Sequence, residues 1–114
     1  MGNSAQTDGY FYFKTPEDAS RALNKIEKWI DNANTNKLPK HLQGDYNIQY
    51  PKQQGCSIEF HAESCRKENL WWQMENMKND LVTSLEGVLE FAAPIMVFWD
   101  DVSWNIEELR LSDK

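Results

Sequence analysis

The chain of 114 residues has a net charge of −6, with 40% hydrophobic and 26% charged residues. A globular domain of this length can bury roughly two thirds of its unfolded surface, so we expect one core and no second domain. The longest apolar run is about half as long as a bilayer span. Two cysteines are too few for a disulfide framework, and the sequence has no signal-peptide pattern. These features exclude a disordered chain and a membrane span, and they predict a cytoplasmic protein.

The negative charge is concentrated toward the end of the sequence. From Glu86 onward there are seven acids and two bases, which account for −5 of the total charge of −6. A surface of this sign repels the phosphates of nucleic acid and attracts basic proteins. We therefore expect no direct nucleic-acid binding and no membrane partner, and we expect a basic protein as the partner. The alternative is an acidic surface that serves solubility alone.

The first predicted element is an aromatic strand. Apart from Met1, residues 1–8 have small or polar side chains and are predicted to be disordered, so the single domain is expected to span residues 9–114. Four aromatic residues follow one another from Tyr10 to Phe13. Because successive side chains of a strand point to opposite faces, this strand is predicted to present rings on both faces.

A helix is predicted directly after this strand. Thr15 can cap it, and Pro16 suits the first helical position. Apolar residues then recur every three or four positions, with Trp29 at the edge of the apolar stripe. The pattern predicts a helix from Pro16 to about Asn34.

Two runs of alternating apolar and polar residues predict a β-hairpin in the middle of the chain. The five residues 51–55 separate the runs and end in a glycine, which is typical of a hairpin loop. The apolar positions of the two runs, which are expected to face the core, are Tyr46, Ile48, Tyr50, Cys56, Ile58 and Phe60.

The last third of the chain is predicted to contain a helix and two strands. Ser64 can cap a second helix whose apolar spacing reaches as far as Glu90. The uninterrupted apolar run from Ile95 to Trp99 is typical of a buried strand. The tail from Val102 to Leu111 alternates like an edge strand, although a short helix is the other interpretation.

The order strand, helix, strand, strand, helix, strand predicts an α+β fold. It is the pattern of a ferredoxin-like βαββαβ domain, with two helices on one face of an antiparallel sheet. The C-terminal extension is expected to add an edge strand. One sheet face would then be left open, with Tyr10 and Tyr12 on it, and the use of that face decides function because the fold alone does not.

The sequence contains no complete catalytic or metal-binding motif. Cys56, His61 and Cys65 have side chains that bind zinc, but their spacings of five and four residues match no zinc knuckle. We expect no metal, no cofactor and no enzymatic activity. A small enzyme that uses Cys65, or the pair Asp100-Asp101, is the alternative.

The strongest functional hypothesis is an acidic partner-binding surface. Interfaces concentrate binding energy in a few large rings, and carboxylates steer association with a basic partner. The residues predicted to form this surface are Trp99, Asp100, Asp101, Trp104, Glu107 and Glu108, with Trp72 as a further anchor. The protein would then be a stoichiometric inhibitor or immunity-type protein against a basic, nucleic-acid-processing partner.

A second hypothesis uses the open sheet face. In it the domain forms a homodimer through Tyr10 and Tyr12, and a small molecule binds between the two sheets. The two hypotheses differ in oligomeric state and in the surface that they use.

Overall fold

The structure, a computed structural model, describes residues 5–85, 95–100 and 106–110; for Lys67 and the last two ranges it describes the backbone alone. The predicted α+β class is confirmed, since helices and antiparallel strands are both present. Of the helices in the described residues, none is long and apolar enough to cross a bilayer. The elements are β1 (Ala5–Tyr12), α1 (Pro16–Asn34), β2 (Lys52–Gln54), β3 (Ser57–Ser64), α2 (Lys67–Asn76), β4 (Ile95–Asp100) and β5 (Ile106–Arg110).

The strands form one sheet in the order β2-β3-β1-β4-β5, in which every neighbouring pair is antiparallel. The central pairing of β1 with β3 places Ala5 opposite Ser64 at one end and Tyr12 opposite Ser57 at the other. β1 therefore begins at Ala5, earlier than the predicted boundary at residue 9. Ala5 and Thr7 are 3% and 1% exposed, because alternate positions of β1 face the core from its first residue onward.

Both helices pack against the same face of the sheet. One core cluster joins Phe11 and Phe60 from the sheet with Ile30 from α1 and Leu70 and Met74 from α2. The opposite face of β1 and β3 carries half-buried and exposed side chains. We call this opposite side the outer face of the sheet.

The first helix is confirmed from Pro16 to Asn34. The Thr15 hydroxyl accepts a hydrogen bond from the Asp18 backbone N–H at 3.0 Å, as expected of a cap. At the other end the Asn34 amide donates to the Ile48 carbonyl at 2.6 Å and accepts from the Ile48 N–H at 3.1 Å. The end of α1 is thereby attached to the segment that runs beside β3.

The hairpin is present, but its turn is not the predicted one. Residues 52–54, predicted to lie in the loop, form β2, and Gly55 and Cys56 form the turn. Gly55 has a φ of +62°, which favours glycine. Cys56 was expected in the core and is exposed in this turn. The earlier run contributes a single bridge between Ile48 and Ala62 rather than a long strand.

The second helix begins later than predicted and changes its geometry. It starts at Lys67, and the Ser64 hydroxyl accepts hydrogen bonds from the Arg66 N–H and the Asn69 amide instead of capping the first turn. At Met77 the α-helix passes into a π-helical segment, Met77–Val82. Met77, Leu81 and Val82 are buried in this segment. The predicted end at Glu90 lies outside the described residues.

Candidate functional site

The outer face of the sheet carries two tyrosine rings between carboxylates. Tyr10 and Tyr12 stack with ring centroids 6.4 Å apart and ring planes 19° apart, and Tyr12 is 36% exposed. The register places Glu59 opposite Tyr10 and Asp8 opposite His61. Phe11 and Phe13 are buried on the core side, which leaves the two tyrosines on the outer face.

Tyr10 and Glu59 form a hydrogen-bonded pair on this face. The phenol donates to the Glu59 carboxylate, and this bond is the main reason that the pKa of Tyr10 is raised. Partial burial and the negative charges of Glu59 and Asp8 raise the pKa further. The surroundings of Tyr10 therefore favour its neutral phenol.

His61 lies between two carboxylates. Its Nδ1 is 2.9 Å from Asp8 Oδ1, and its Nε2 is 3.1 Å from Glu63 Oε1. A neutral imidazole has one N–H donor, so one of these two contacts would set a lone pair against a carboxylate oxygen. The geometry therefore fits the doubly protonated imidazolium, which donates to both carboxylates.

The pKa of His61 is raised above its ordinary value of 6.5. Burial of the half-buried ring lowers the pKa, but the hydrogen bonds to Asp8 and Glu63 and the charges of both carboxylates outweigh burial. The two acidic groups thus favour the positively charged form of His61 on the outer face.

This shift predicts a pH dependence of stability. A histidine whose pKa is raised by folding stabilises the protein below its unfolded pKa, and this contribution is lost as the pH rises through the folded pKa. Between about pH 5.5 and 8.5 the free energy of unfolding of the wild type should fall by up to about 1 kcal/mol relative to that of the His61→Gln variant. The effect is no larger because the three side chains are partly solvated. Urea unfolding at both pH values measures the difference, and His41→Gln is the matched control. An NMR pKa of His61 at or below 6.5 would contradict this expectation.

A cleft opens where β1 and β3 meet the start of α2. Its volume is about 570 Å³. The residues that line it are Ala5, Gln6, Asp45, Tyr46, Asn47, Glu63, Ser64, Cys65 and Asn69. Glu63 also contacts His61, so the cleft is continuous with the outer face. Sequence reasoning missed this cleft, because its walls come from three separate parts of the chain.

The two cysteines lie at opposite ends of β3. Cys56 is in the hairpin turn that precedes β3, Cys65 follows its last residue, and both are exposed. Within the described residues, no three His, Cys, Asp or Glu side chains are grouped so as to hold a metal ion. Both ring nitrogens of His61 contact carboxylates, so the geometry does not pair His61 with Cys65 as a nucleophile and base.

Most of the predicted partner surface falls in or near β4 and β5. The register pairs Trp99 with Gln6 and Asp100 with Ala5. Because positions of a strand alternate between faces, position 99 belongs to the outer face and position 100 to the helix side. By the same alternation, position 108, which pairs with Val97, belongs to the outer face, and position 107, which pairs with Phe98, belongs to the helix side.

The remaining residues of that surface are placed as follows. Asp101 and Trp104 lie outside the described residues. Trp72 is 39% exposed on α2, and its ring packs against Tyr46 with centroids 6.2 Å apart. It therefore lies in the helix layer, away from Tyr10 and Tyr12. The acidic C-terminal docking surface stays a prediction.

The comparisons with known proteins give no family for this chain. The sequence matches no protein-family model, and no curated protein is significantly similar to it. The functional argument therefore depends on the geometry of the described residues.

Proposed function

We propose that this protein is a small acidic protein-binding module that forms a stoichiometric complex with a basic partner, in the manner of an inhibitor or immunity protein. The observation that carries the proposal is the outer face of the sheet. There the stacked rings of Tyr10 and Tyr12 share one face with the carboxylates of Asp8 and Glu59 beside Tyr10 and of Glu63 further along β3.

The chemistry of this face suits a protein partner. Tyrosine is enriched among the residues that dominate interface energies, because it buries a large ring and keeps a polar hydroxyl. Among the described side chains of the outer face, the three carboxylates are accompanied by two basic groups, Lys52 and His61, so a negative excess remains. A basic surface is electrostatically complementary to this face, and the attraction raises the association rate.

The same charges disfavour the alternative of a homodimer through the outer face. A second copy would bring two faces together that both carry an excess of carboxylates, from Asp8, Glu59 and Glu63. Like charges directly opposed across an interface weaken association. A homodimer that encloses a small molecule is therefore the weaker candidate, and nucleic acid is disfavoured for the same electrostatic reason.

The strand order supports a finer description of the fold. The arrangement β2-β3-β1-β4, all antiparallel and with α1 and α2 on one face, is the one expected of a ferredoxin-like βαββαβ domain, and β5 would then be the added edge strand. In such a domain the outer face is the broad surface that the helices leave uncovered. The positions of Trp99 and Glu108 would extend the surface around Tyr10 across β4 and β5.

The proposal is tested by affinity capture with two charge-reversed variants. The immobilised wild type is expected to retain a basic protein from its native source at low salt and to release it as the salt concentration rises. The purified partner is then titrated against each variant by calorimetry. Tyr10→Ala with Glu59→Lys should weaken binding roughly thirtyfold or more, since it removes a ring and reverses a charge at the centre of the face.

The matched comparison is Asp100→Lys with Glu107→Lys, which changes the same kind of charge on the helix side of β4 and β5. We expect a smaller effect from this pair. If the wild type forms no stoichiometric complex with a basic protein, the proposed function is wrong. If only the second pair weakens binding, the interface is the C-terminal surface and not the outer face.

A further inference from the structure

The cleft at the end of β1 and β3 has walls that are held in place by hydrogen bonds. The Asp45 carbonyl accepts from the Gln73 amide at 2.5 Å, and the Asn47 carbonyl accepts from the Glu63 N–H at 3.0 Å. On the opposite wall the Asn69 amide donates to the Ser64 hydroxyl at 3.1 Å. The cleft is therefore formed before any ligand arrives, which lowers the entropic cost of binding.

The lining of the cleft combines an apolar floor with an acceptor-rich rim. Ala5 and the ring of Tyr46 are buried at its base. Asp45 and Glu63 bring carboxylates, of which that of Glu63 also contacts His61 through Oε1, and Gln6, Asn47 and Asn69 bring side-chain amides. Among the described residues that line the cleft there is no lysine or arginine.

We propose that this cleft receives one arginine side chain of the basic partner; the identity of that partner rests on the proposed function above. The methylene stem would lie over Ala5 and the Tyr46 ring, as long basic side chains cover apolar surface. The guanidinium would donate to Asp45, Glu63 and the neighbouring amide oxygens.

Arginine fits the cleft better than the other ligand classes. An anion would meet two carboxylates, and an apolar ligand would leave them without partners as it removed their water. A lysine ammonium has three donors at one point, whereas the guanidinium has five N–H donors spread over a plane. The two carboxylates belong to different segments of the chain, so a planar donor that reaches several acceptors at once is favoured.

The test uses N-acetyl-arginine amide as the probe and the full chain as the receptor. An NMR titration follows the side-chain amide signals of Gln6, Asn47 and Asn69. We expect saturable shifts with a Kd of about 1–10 mM, as for small ligands of this size. The signal of Gln54, which pairs with Ser57 at the other end of β3, should not move.

Two controls separate specific recognition from general attraction to a negative protein. N-acetyl-citrulline amide has nearly the same shape without the charge, and it should produce no saturable shifts. Asp45→Asn should raise the Kd of the arginine probe roughly two- to fivefold. The matched variant Glu17→Gln also removes one carboxylate, but on α1 beside the far end of the sheet, and it should leave the Kd unchanged.

Equal shifts with the citrulline probe, or equal Kd values for Asp45→Asn and the wild type, would overturn the proposal. No saturable shift with the arginine probe would also overturn it. The titration needs no partner protein, so its failure is distinct from failure of the proposed function. A basic partner that binds the outer face but is indifferent to Asp45→Asn would leave that function intact and exclude the cleft.

Discussion

Replacing Trp29 with alanine is expected to reduce the free energy of unfolding by about 3–5 kcal/mol, the range found for large-to-small changes at buried aromatic residues. Trp29 is 7% exposed, and its indole N–H donates to Asp80 Oδ2 at 2.7 Å. Its ring meets Tyr46 edge-on, with centroids 5.9 Å apart and planes at 88°. One side chain thus connects α1 to the π-helical segment and to the segment before β2.

The loss has two parts that can be measured separately. Trp29→Phe keeps most of the buried ring and removes the hydrogen bond to Asp80, so we expect it to lose only about 1–2 kcal/mol. Trp29→Ala adds the cavity and the lost contact with Tyr46. Far-UV circular dichroism in urea is the suitable measurement, because tryptophan fluorescence changes with the substitution itself.

Trp72→Ala is the matched control, since it removes the same side chain from a half-exposed position on α2. It should lose less, about 1–2 kcal/mol, because 39% of the Trp72 side chain is already exposed to water. Similar losses for Trp29→Ala and Trp72→Ala would contradict the connecting role assigned to Trp29.

Trp29 also shows where prediction from the sequence ends. Its helix could be predicted to the residue, because the cap Thr15, the proline at the first position and the apolar spacing are all local signals. The same spacing put Trp29 at the edge of the stripe. Its partner Asp80 is 51 residues away and lies in a π-helical turn that α-helical periodicity does not predict.

The hairpin was misplaced for a related reason. Lys52, Gln53 and Gln54 have no apolar alternation, so the sequence suggested a loop there. Their strand is held by contacts distant in sequence: pairing with β3, and a hydrogen bond from the Gln53 amide to the Pro16 carbonyl at 3.1 Å. Cys56 looked like a core position only because the alternation was extended one step too far.

The candidate site was predictable in its parts and not in its assembly. Alternation alone placed Tyr10 and Tyr12 together on one face. Asp8 was assigned to a disordered tail and His61 was considered only with the cysteines. Their contact depends on the register that sets residue 8 opposite residue 61, and register is fixed by the pairing of whole strands.

The same register leads to the second large effect, at Gly9. Gly9 faces Phe60 across β1 and β3, and the Phe60 ring lies over it. A Cβ at position 9 would be 2.1 Å from Phe60 Cζ and 2.3 Å from Cε1. The ring has little room to move, because Phe60 is 2% exposed and packs on Phe11 with centroids 5.5 Å apart.

Gly9→Ala should therefore destabilise the protein by about 1–3 kcal/mol through overpacking. The cause is tested by a double-mutant cycle with Phe60→Leu, which removes the ring atoms that the new methyl group would meet. In the Phe60→Leu background, the loss of unfolding free energy caused by Gly9→Ala should be smaller by about 1 kcal/mol or more. Equilibrium unfolding in urea measures all four proteins of the cycle.

Gly55→Ala is the control that separates a steric clash from backbone strain. A Cβ at Gly55 would meet no atom within 4 Å, but its φ of +62° makes alanine unfavourable by about 1–2 kcal/mol. Because this loss does not involve the ring, it should be the same with Phe60 or with leucine at position 60. If Gly9→Ala is also additive with Phe60→Leu, the ring is not what requires glycine at position 9.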